Sequence, residues 1–381
     1  MVHPSGFTPA CRRPESSRDS LPSPFRTCEP FARMDSSPTN LPANQATADA
    51  RKGRLVDRFG RVHTSLRVSV TDRCNIRCSY CMPLQVRFRP RDEILRFEEI
   101  ERFVQIAASL GVNHVRITGG EPLVRKDVPL LVRKLSSVPG IVDLALTTNG
   151  ILLTQQAAAL QEAGLHRLNI SLDAISEENF RRIARRDGVR RVLDGILAAR
   201  RAGFQRIRLN AVAMRGITEP EIVPLAHFAR EHAIELRFIE FMPLDGDGHW
   251  NDRRVLSGDE ILEALSAEFG PLTPAARPDP SQPAVDFDFA DGLGRVGLIR
   301  SVTAPFCGDC DRLRLTAEGK VRNCLFATGD FDARSLLRSG AGDGEIAELI
   351  RNCILAKKAG HGADSPEFLE RPDRSMYEIG G

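Results

Sequence analysis

Leu66-Arg67-Val68-Ser69-Val70-Thr71-Asp72-Arg73-Cys74-Asn75-Ile76-Arg77-Cys78-Ser79-Tyr80-Cys81-Met82-Pro83 decides how the rest of this chain is read. Leu66–Val70 alternates aliphatic and polar side chains, the two-residue period of a strand. A cysteine-rich loop follows, with Cys74, Cys78 and Cys81 spaced C-x3-C-x2-C. Thiolates this close suit a cubane cluster of four irons. Three thiolates leave one iron open, and an open iron can chelate an amine and a carboxylate together, the pair that methionine offers. A zinc ion normally takes four ligands, and no nearby Cys or His completes this set.

Working outward, short aliphatic runs alternate with longer amphipathic ones. Strands are predicted at His114–Thr118, Asp143–Thr147, Leu168–Leu172, Ile207–Ala213 and Ile234–Phe241. Helices are predicted near Phe97–Leu110, Val128–Leu135, Thr154–Ala163, Glu177–Ala184, Val192–Ala202 and Glu219–His232. Six successive βα units imply an α/β fold with a parallel sheet, curled into an incomplete (β/α)6 barrel of the TIM type. Active sites of such barrels gather at the carboxyl ends of the strands, where the cysteine loop lies. Residues 270–295, with Pro271, Pro274, Pro278, Pro280 and Pro283, read as a connector between a barrel over 51–270 and a smaller C-terminal domain over 271–381. Residues 1–50 are rich in Ser, Pro, Arg and Ala without apolar periodicity and read as a disordered extension, with Met34 an alternative start.

Composition narrows the class. The 381 residues are 42% hydrophobic and 27% charged, as in an ordinary globular protein, and no apolar run is long enough to predict a membrane span. A net charge of +3, without a basic stripe carrying aromatics, gives no expectation of nucleic-acid binding. Of the nine cysteines, six fall in two tight groups, which reads as metal binding in a reducing compartment, the cytoplasm. Cys11, Cys28 and Cys353 have no assigned role.

The second group is Cys307, Cys310 and Cys324, spaced C-x2-C-x13-C. Another triad without an obvious fourth ligand suggests a second cluster, the alternative being zinc closed by Cys353 or His361. Asp311-Arg312-Leu313-Arg314-Leu315 lies between these cysteines, and alternation puts Arg312 and Arg314 on one face of a strand, where paired guanidiniums make an anion site. Arg67 and Arg116 sit in otherwise apolar strands, where an unpaired charge is costly, so a buried anion is expected there too. In Gly119-Gly120-Glu121-Pro122 the paired glycines let backbone approach a ligand closely.

Residues 69–83 around the first triad carry the signature of the radical S-adenosylmethionine superfamily. From about Arg61 to Gly381 the chain resembles one family within it, the GTP 3',8-cyclases, which perform the first step of molybdenum cofactor biosynthesis. The resemblance implies a lyase with two [4Fe-4S] clusters and S-adenosyl-L-methionine. It implies cofactor contacts at Tyr80, Gly120, Ser171 and Met242. It implies GTP contacts at Arg67, Arg116, Thr147, Arg208, Arg312, Leu313 and Arg314, with Arg208 departing from the lysine usual in the family. A terminal Gly380-Gly381 tail would assist catalysis. In the implied reaction a 5'-deoxyadenosyl radical takes the 3' hydrogen of GTP, and C3' attacks C8 to give (8S)-3',8-cyclo-7,8-dihydroguanosine 5'-triphosphate. Implied partners are an external electron donor, cyclic pyranopterin monophosphate synthase downstream, and a second copy in a homodimer. The rival readings are a peptide-maturing relative with an auxiliary cluster and a zinc-stabilised nucleic-acid-binding protein.

Overall fold

Aliphatic and β-branched runs become strands because their side chains fill both faces of a covered parallel sheet. In the computed structural model, which describes residues 53–360 and 374–380, these are β1 (Ser65–Ser69), β2 (His114–Thr118), β3 (Asp143–Thr148), β4 (Arg167–Ser171), β5 (Ile207–Ala213) and β6 (Glu235–Glu240). Each pairs in parallel with the next. The expectation for residues 1–50 lies outside the described residues.

The crossovers are α1 (Phe97–Ser109), α2 (Val128–Ser136), α3 (Leu153–Glu162), α4 (Glu177–Ala184), α5 (Val189–Arg201) and α6 (Ile222–Glu231), followed by α7 (Gly258–Phe269). In α1 the buried side chains Ile100, Phe103, Val104 and Ala107 recur at three- and four-residue spacing, the stripe that packs a helix on a sheet. Ser176 opens α4 by accepting the Asn179 amide, and Ser257 with Glu260 closes a capping box on α7. The helix predicted over 219–232 is interrupted: a 3-10 turn at Glu219–Glu221, which contains Pro220, precedes α6. Proline lacks the amide that would continue the ladder.

The C-terminal strands are β7 (Thr273–Pro274), β8 (Val285–Asp288), β9 (Arg295–Ile299), β10 (Arg312–Leu315), β11 (Lys320–Arg322) and β12 (Phe331–Asp332), with α8 (Ala333–Ser339), α9 (Asp343–Leu355) and α10 (Met376–Ile379). They join the same sheet, whose order is β12-β11-β10-β1-β2-β3-β4-β5-β6-β9-β8-β7. β10 lies parallel on β1 and β9 parallel on β6, so eight parallel strands are flanked by antiparallel edges. The stretch 270–295, expected as a connector, therefore contains β7 and β8. Its prolines read as loop, yet Pro274 sits on the two-residue edge strand, where no amide is required. Phe287 and Phe289 of the same stretch are buried in the core.

Candidate active site between two cysteine triads

A cavity of about 790 Å³ opens at the carboxyl ends of the strands. Arg67 of β1, Thr147 of β3, Ser171 of β4, Val212 of β5, Ile239 of β6 and Arg314 of β10 all line it, so the sheet curls around the space. Its size lies within the range of small-molecule sites.

Strand register groups the arginines. Arg314, Arg67 and Arg116 are direct neighbours across β10, β1 and β2. Among the described residues no carboxylate pairs with Arg67 or Arg116. Burial depresses the Arg67 pKa well below its usual value, with Arg314, Arg116 and Arg312 adding repulsion. Burial likewise brings Arg116 down to about 9 and Arg314 to about 10, again with arginine neighbours contributing. The Arg312 Nε and the Thr147 Oγ1 are buried without a partner, and both residues face the cavity. Donors left unsatisfied beside mutually repelling guanidiniums make a site for a multiply charged anion.

The first triad is held by backbone. Cys81 and Met82 donate their amides to the Cys78 carbonyl at 2.9 and 3.0 Å, while Arg77 and Ser79 donate to Ala184 and Ile183 at 2.9 Å each. The last carbonyls of α4, which have no partner within the helix, are thus satisfied by the cysteine loop. Gly120 lies against the same loop: a Cβ there would stand 2.4 Å from the Arg73 carbonyl oxygen. The Gly120 and Glu121 amides bond to Thr71 and Arg73 at 2.7 Å each. The Glu121 carboxylate accepts from Thr148, Asn149 and Leu123, and burial lifts its pKa to about 7. Asp173 accepts the Tyr80 hydroxyl at 2.9 Å and the Val212 amide at 2.8 Å, with a pKa raised by burial to about 6. Burial also raises all three thiols, Cys74 to about 11, with Glu121 adding to Cys74 and Asp173 to Cys78.

The second triad has the opposite surroundings. Cys307 begins a 3-10 turn over Cys307–Asp309, and the Cys310 amide returns to its carbonyl at 3.2 Å. Burial opposes ionisation of Cys310, but Arg312 and Lys357 outweigh it and hold the thiol at about 6. Arg312 also lies 4.7 Å over the Phe306 ring. None of the six cysteines is in a disulfide. A zinc ion needs its sulfur ligands within about 2.3 Å of one point. Among the described residues no three His, Cys, Asp or Glu side chains converge in that way. Cys353 is fully buried in the core, and His361 lies outside the described residues. As a donor set, each triad of thiols suits a cluster, which offers each thiolate its own iron.

The C-terminal tail enters beside the first triad. The Met376 amide bonds to the Leu244 carbonyl at 3.3 Å, and the Tyr377 backbone bonds to the Cys81 sulfur. Arg314 Nη1 donates to the Gly380 carbonyl at 2.7 Å. Gly380 has φ +82°, and a Cβ there would sit 3.0 Å from both Ser69 and Thr118 side-chain atoms. Gly381 lies outside the described residues.

Residues 68–229 match the family model of the radical SAM superfamily, and residues 234–363 match that of Molybdenum Cofactor Synthesis C. A GTP 3',8-cyclase from Rhodopirellula baltica is 54% identical over 331 residues, which are 86% of this chain and 92% of the relative. The chain belongs to the GTP 3',8-cyclase family. The Streptomyces coelicolor cyclase is 45% identical, over 86% of this chain and 96% of its own. In fold, the chain is similar to Streptococcus suis SuiB bound to S-adenosylmethionine, with a TM-score of 0.58 and 14% identity over 80% of this chain and 70% of that one. Membership of the radical SAM superfamily brings S-adenosylmethionine and a [4Fe-4S] cluster as cofactors.

The cyclase cavity gathers most of the residues expected from sequence. Tyr80, Ser171 and Met242 line it, as do Arg67, Thr147, Arg312, Arg314, Cys307, Cys310 and Cys324. Cys74, Cys78 and Cys81 do not face it directly; Tyr80, between two of them, does. Gly120 also stands back, and its missing side chain answers to the Arg73 backbone rather than to a ligand. Arg116 is beside Arg67 in register but outside the lining. Arg208 is spent on Glu235 at 2.8 Å, because register sets the two opposite each other. Arg237 shares that carboxylate. Leu313 is fully buried and does not line the cavity. Sequence reasoning missed Asp173, Arg61 and Lys357. Only Asp173, at the end of an inward strand, carried a positional signal.

Proposed function

We propose that this chain is a radical S-adenosylmethionine lyase that converts GTP to 3',8-cyclo-7,8-dihydro-GTP, the first step of molybdenum cofactor biosynthesis, and that it carries a second [4Fe-4S] cluster. The observation that carries the GTP reading is the run of Arg314, Arg67 and Arg116 across three adjacent strands, without a carboxylate for Arg67 or Arg116 among the described residues. Four-iron clusters fit both triads, Cys74, Cys78 and Cys81 holding one and Cys307, Cys310 and Cys324 the other. When bound, the first cluster and S-adenosylmethionine supply the one-electron chemistry that removes a hydrogen from the substrate ribose.

The chain's residues do the rest. Arg67, Arg312 and Arg314 hold the triphosphate, with Arg116 behind them, and Thr147 donates its free hydroxyl. Fixing the anion fixes the ribose, which turns an encounter into a positioned reaction. The second triad receives the guanine end. Tyr80, Ser171 and Met242 face S-adenosylmethionine, and Asp173 orients Tyr80 through its hydroxyl. The tail brings Gly380 to the ends of β1 and β2 and helps close the chamber against water, which reactive intermediates require. The enzyme works in the cytoplasm as a homodimer, takes electrons from an external donor, and hands its product to cyclic pyranopterin monophosphate synthase. No helix among the described residues is long and apolar enough to cross a membrane.

An anaerobic assay with GTP and S-adenosylmethionine tests this. Wild-type protein should hold about eight irons per chain, four in each cluster, and form 5'-deoxyadenosine in response to GTP. Cys324→Ala should lose the cyclised product while retaining part of the cofactor cleavage. Cleavage indifferent to GTP would sink the substrate assignment, and a colourless, zinc-loaded protein would sink the clusters.

A further inference from the structure

Lys357 follows α9 and is only 3% exposed. A lysine this deep ordinarily faces a carboxylate, because its charge has left water. Among the described residues none pairs with it. Its Nζ donates instead to the Arg312 carbonyl at 3.0 Å, the Cys310 carbonyl at 3.1 Å and the Cys310 Sγ at 3.4 Å. All three ammonium donors are therefore used. The two carbonyls satisfy hydrogen bonds but bring no negative charge. The Cys310 sulfur is the partner that would bring negative charge as a metal ligand, with Cys324 also nearby.

The segment that carries Lys357 is fixed independently. Arg61 Nη2 donates to the Lys358 carbonyl at 2.6 Å, and Nη1 to the Ala359 and Cys307 carbonyls at 2.7 and 2.6 Å. Asp57 holds that guanidinium at 2.6 Å. One arginine thus ties the lysine's own segment to Cys307 while the lysine grips Cys310. Among the described residues no lysine plays this part around the first triad, whose nearby ionisable groups are Glu121, Asp173 and Arg77.

We infer that Lys357 is a positioning residue for the second iron–sulfur centre: it donates to a ligand sulfur, pins the cysteine turn against β10, and raises the centre's reduction potential with a buried positive charge. Partners of this kind, one shell beyond the ligands, orient a metal site and tune its potential. The inference rests on the proposal that this triad holds a cluster.

The test is a redox titration of the full-length holoenzyme, followed by electron paramagnetic resonance. The second centre is the signal that Cys324→Ala removes, and the first is the one that S-adenosylmethionine perturbs. Lys357→Met should shift the second centre to a more negative potential and leave the first in place, with Lys357→Arg recovering most of the shift. Loss of the second centre in Lys357→Met alone, with an unchanged melting temperature and normal loading in Lys357→Arg, supports the same role. An unmoved potential in a fully loaded Lys357→Met protein overturns it, as does loss of the centre in both variants. A wild-type protein with about four irons, enough for one cluster only, removes the second cluster itself and this inference with it.

Discussion

The two cysteine triads offer the same three thiols in opposite electrostatic settings. Around Cys74, Cys78 and Cys81 burial and the carboxylates of Glu121 and Asp173 resist negative charge. Around Cys310 the cations of Arg312 and Lys357 invite it. Charge near a cluster is one of the levers that set its potential. A cluster held in the first setting would be the stronger reductant, as cleavage of a sulfonium demands. A cluster held in the second would accept negative charge readily, in the wall we propose for the polyanionic substrate. The triads differ in spacing, C-x3-C-x2-C against C-x2-C-x13-C, yet offer the same three donors; their neighbours set them apart.

The division can be broken most severely at Gly120. A methyl group there meets the Arg73 carbonyl at 2.4 Å and the Asp72 carbonyl oxygen at 2.8 Å, both backbone atoms that cannot swing away. Gly120→Ala should displace the first cysteine loop, cut iron content to about half (one four-iron cluster,), and lower 5'-deoxyadenosine formation by ~10³-fold or more, the scale of a lost catalytic group. The resonance signal of the second centre should persist. If both centres vanish together, the loops are not independent.

A smaller effect separates free from spent cations. Arg67→Ala should raise the KM for GTP by ~10- to 100-fold, the worth of a charge-assisted hydrogen bond, without weakening S-adenosylmethionine. Arg208→Ala should move it several-fold less, because Glu235 already occupies that guanidinium. Equal losses would show that the Arg208 pair opens when substrate arrives.

The smallest effect is in acid, and the two sides should respond with opposite signs. Burial raises Asp173 to about 6 and Glu121 to about 7, so their folded forms hold protons better than the unfolded chain does. Stability from these groups is full below the unfolded pKa and is lost as pH rises through 6 to 7; lowering the pH therefore strengthens the first side. His63, buried and hydrogen-bonded to Asp57 in the Arg61 clamp, is depressed to about 4. It stays neutral when folded, and its contribution falls as pH drops from 6.5 towards 4, by ~2 kcal/mol at pH 5. Hydrogen exchange on metal-free protein at pH 7 and pH 5 should show residues 57–63 loosening first, with His63→Gln flattening the difference. Earlier loosening at residues 71–81 would reverse the comparison.

How far the sequence was legible follows from the range of each interaction. β1 to β6 and their helices carry their own periodicity, and each lies within three residues of its expected place. Arg67 and Arg116 stood out because a guanidinium in an apolar strand needs an anion. The partner of Arg208 was hidden, since Glu235 becomes its neighbour only through the β5 and β6 register. Lys357 was hidden for the same reason: beside Lys358 it looks like a surface pair, and only the fold brings Cys310 to it. β8 was masked by the proline-rich composition around it, which describes local chain preference and not the sheet edge waiting to be covered.

The Arg61 clamp also bears on when each centre can be built. The first triad is framed mainly by segments that lie close along the chain, α4 among them, and the C-terminal tail joins it only afterwards through Tyr377. The second needs Arg61 to reach Cys307 and Ala359, so its cradle spans nearly the whole described polypeptide. Contacts of long sequence separation form last, and a chain leaving the ribosome folds from its N-terminal end. The first site can therefore take shape during synthesis, while the second must wait for the finished chain. An internal deletion of residues 357–360 that keeps the C-terminal tail should leave a protein able to assemble one centre and never the other.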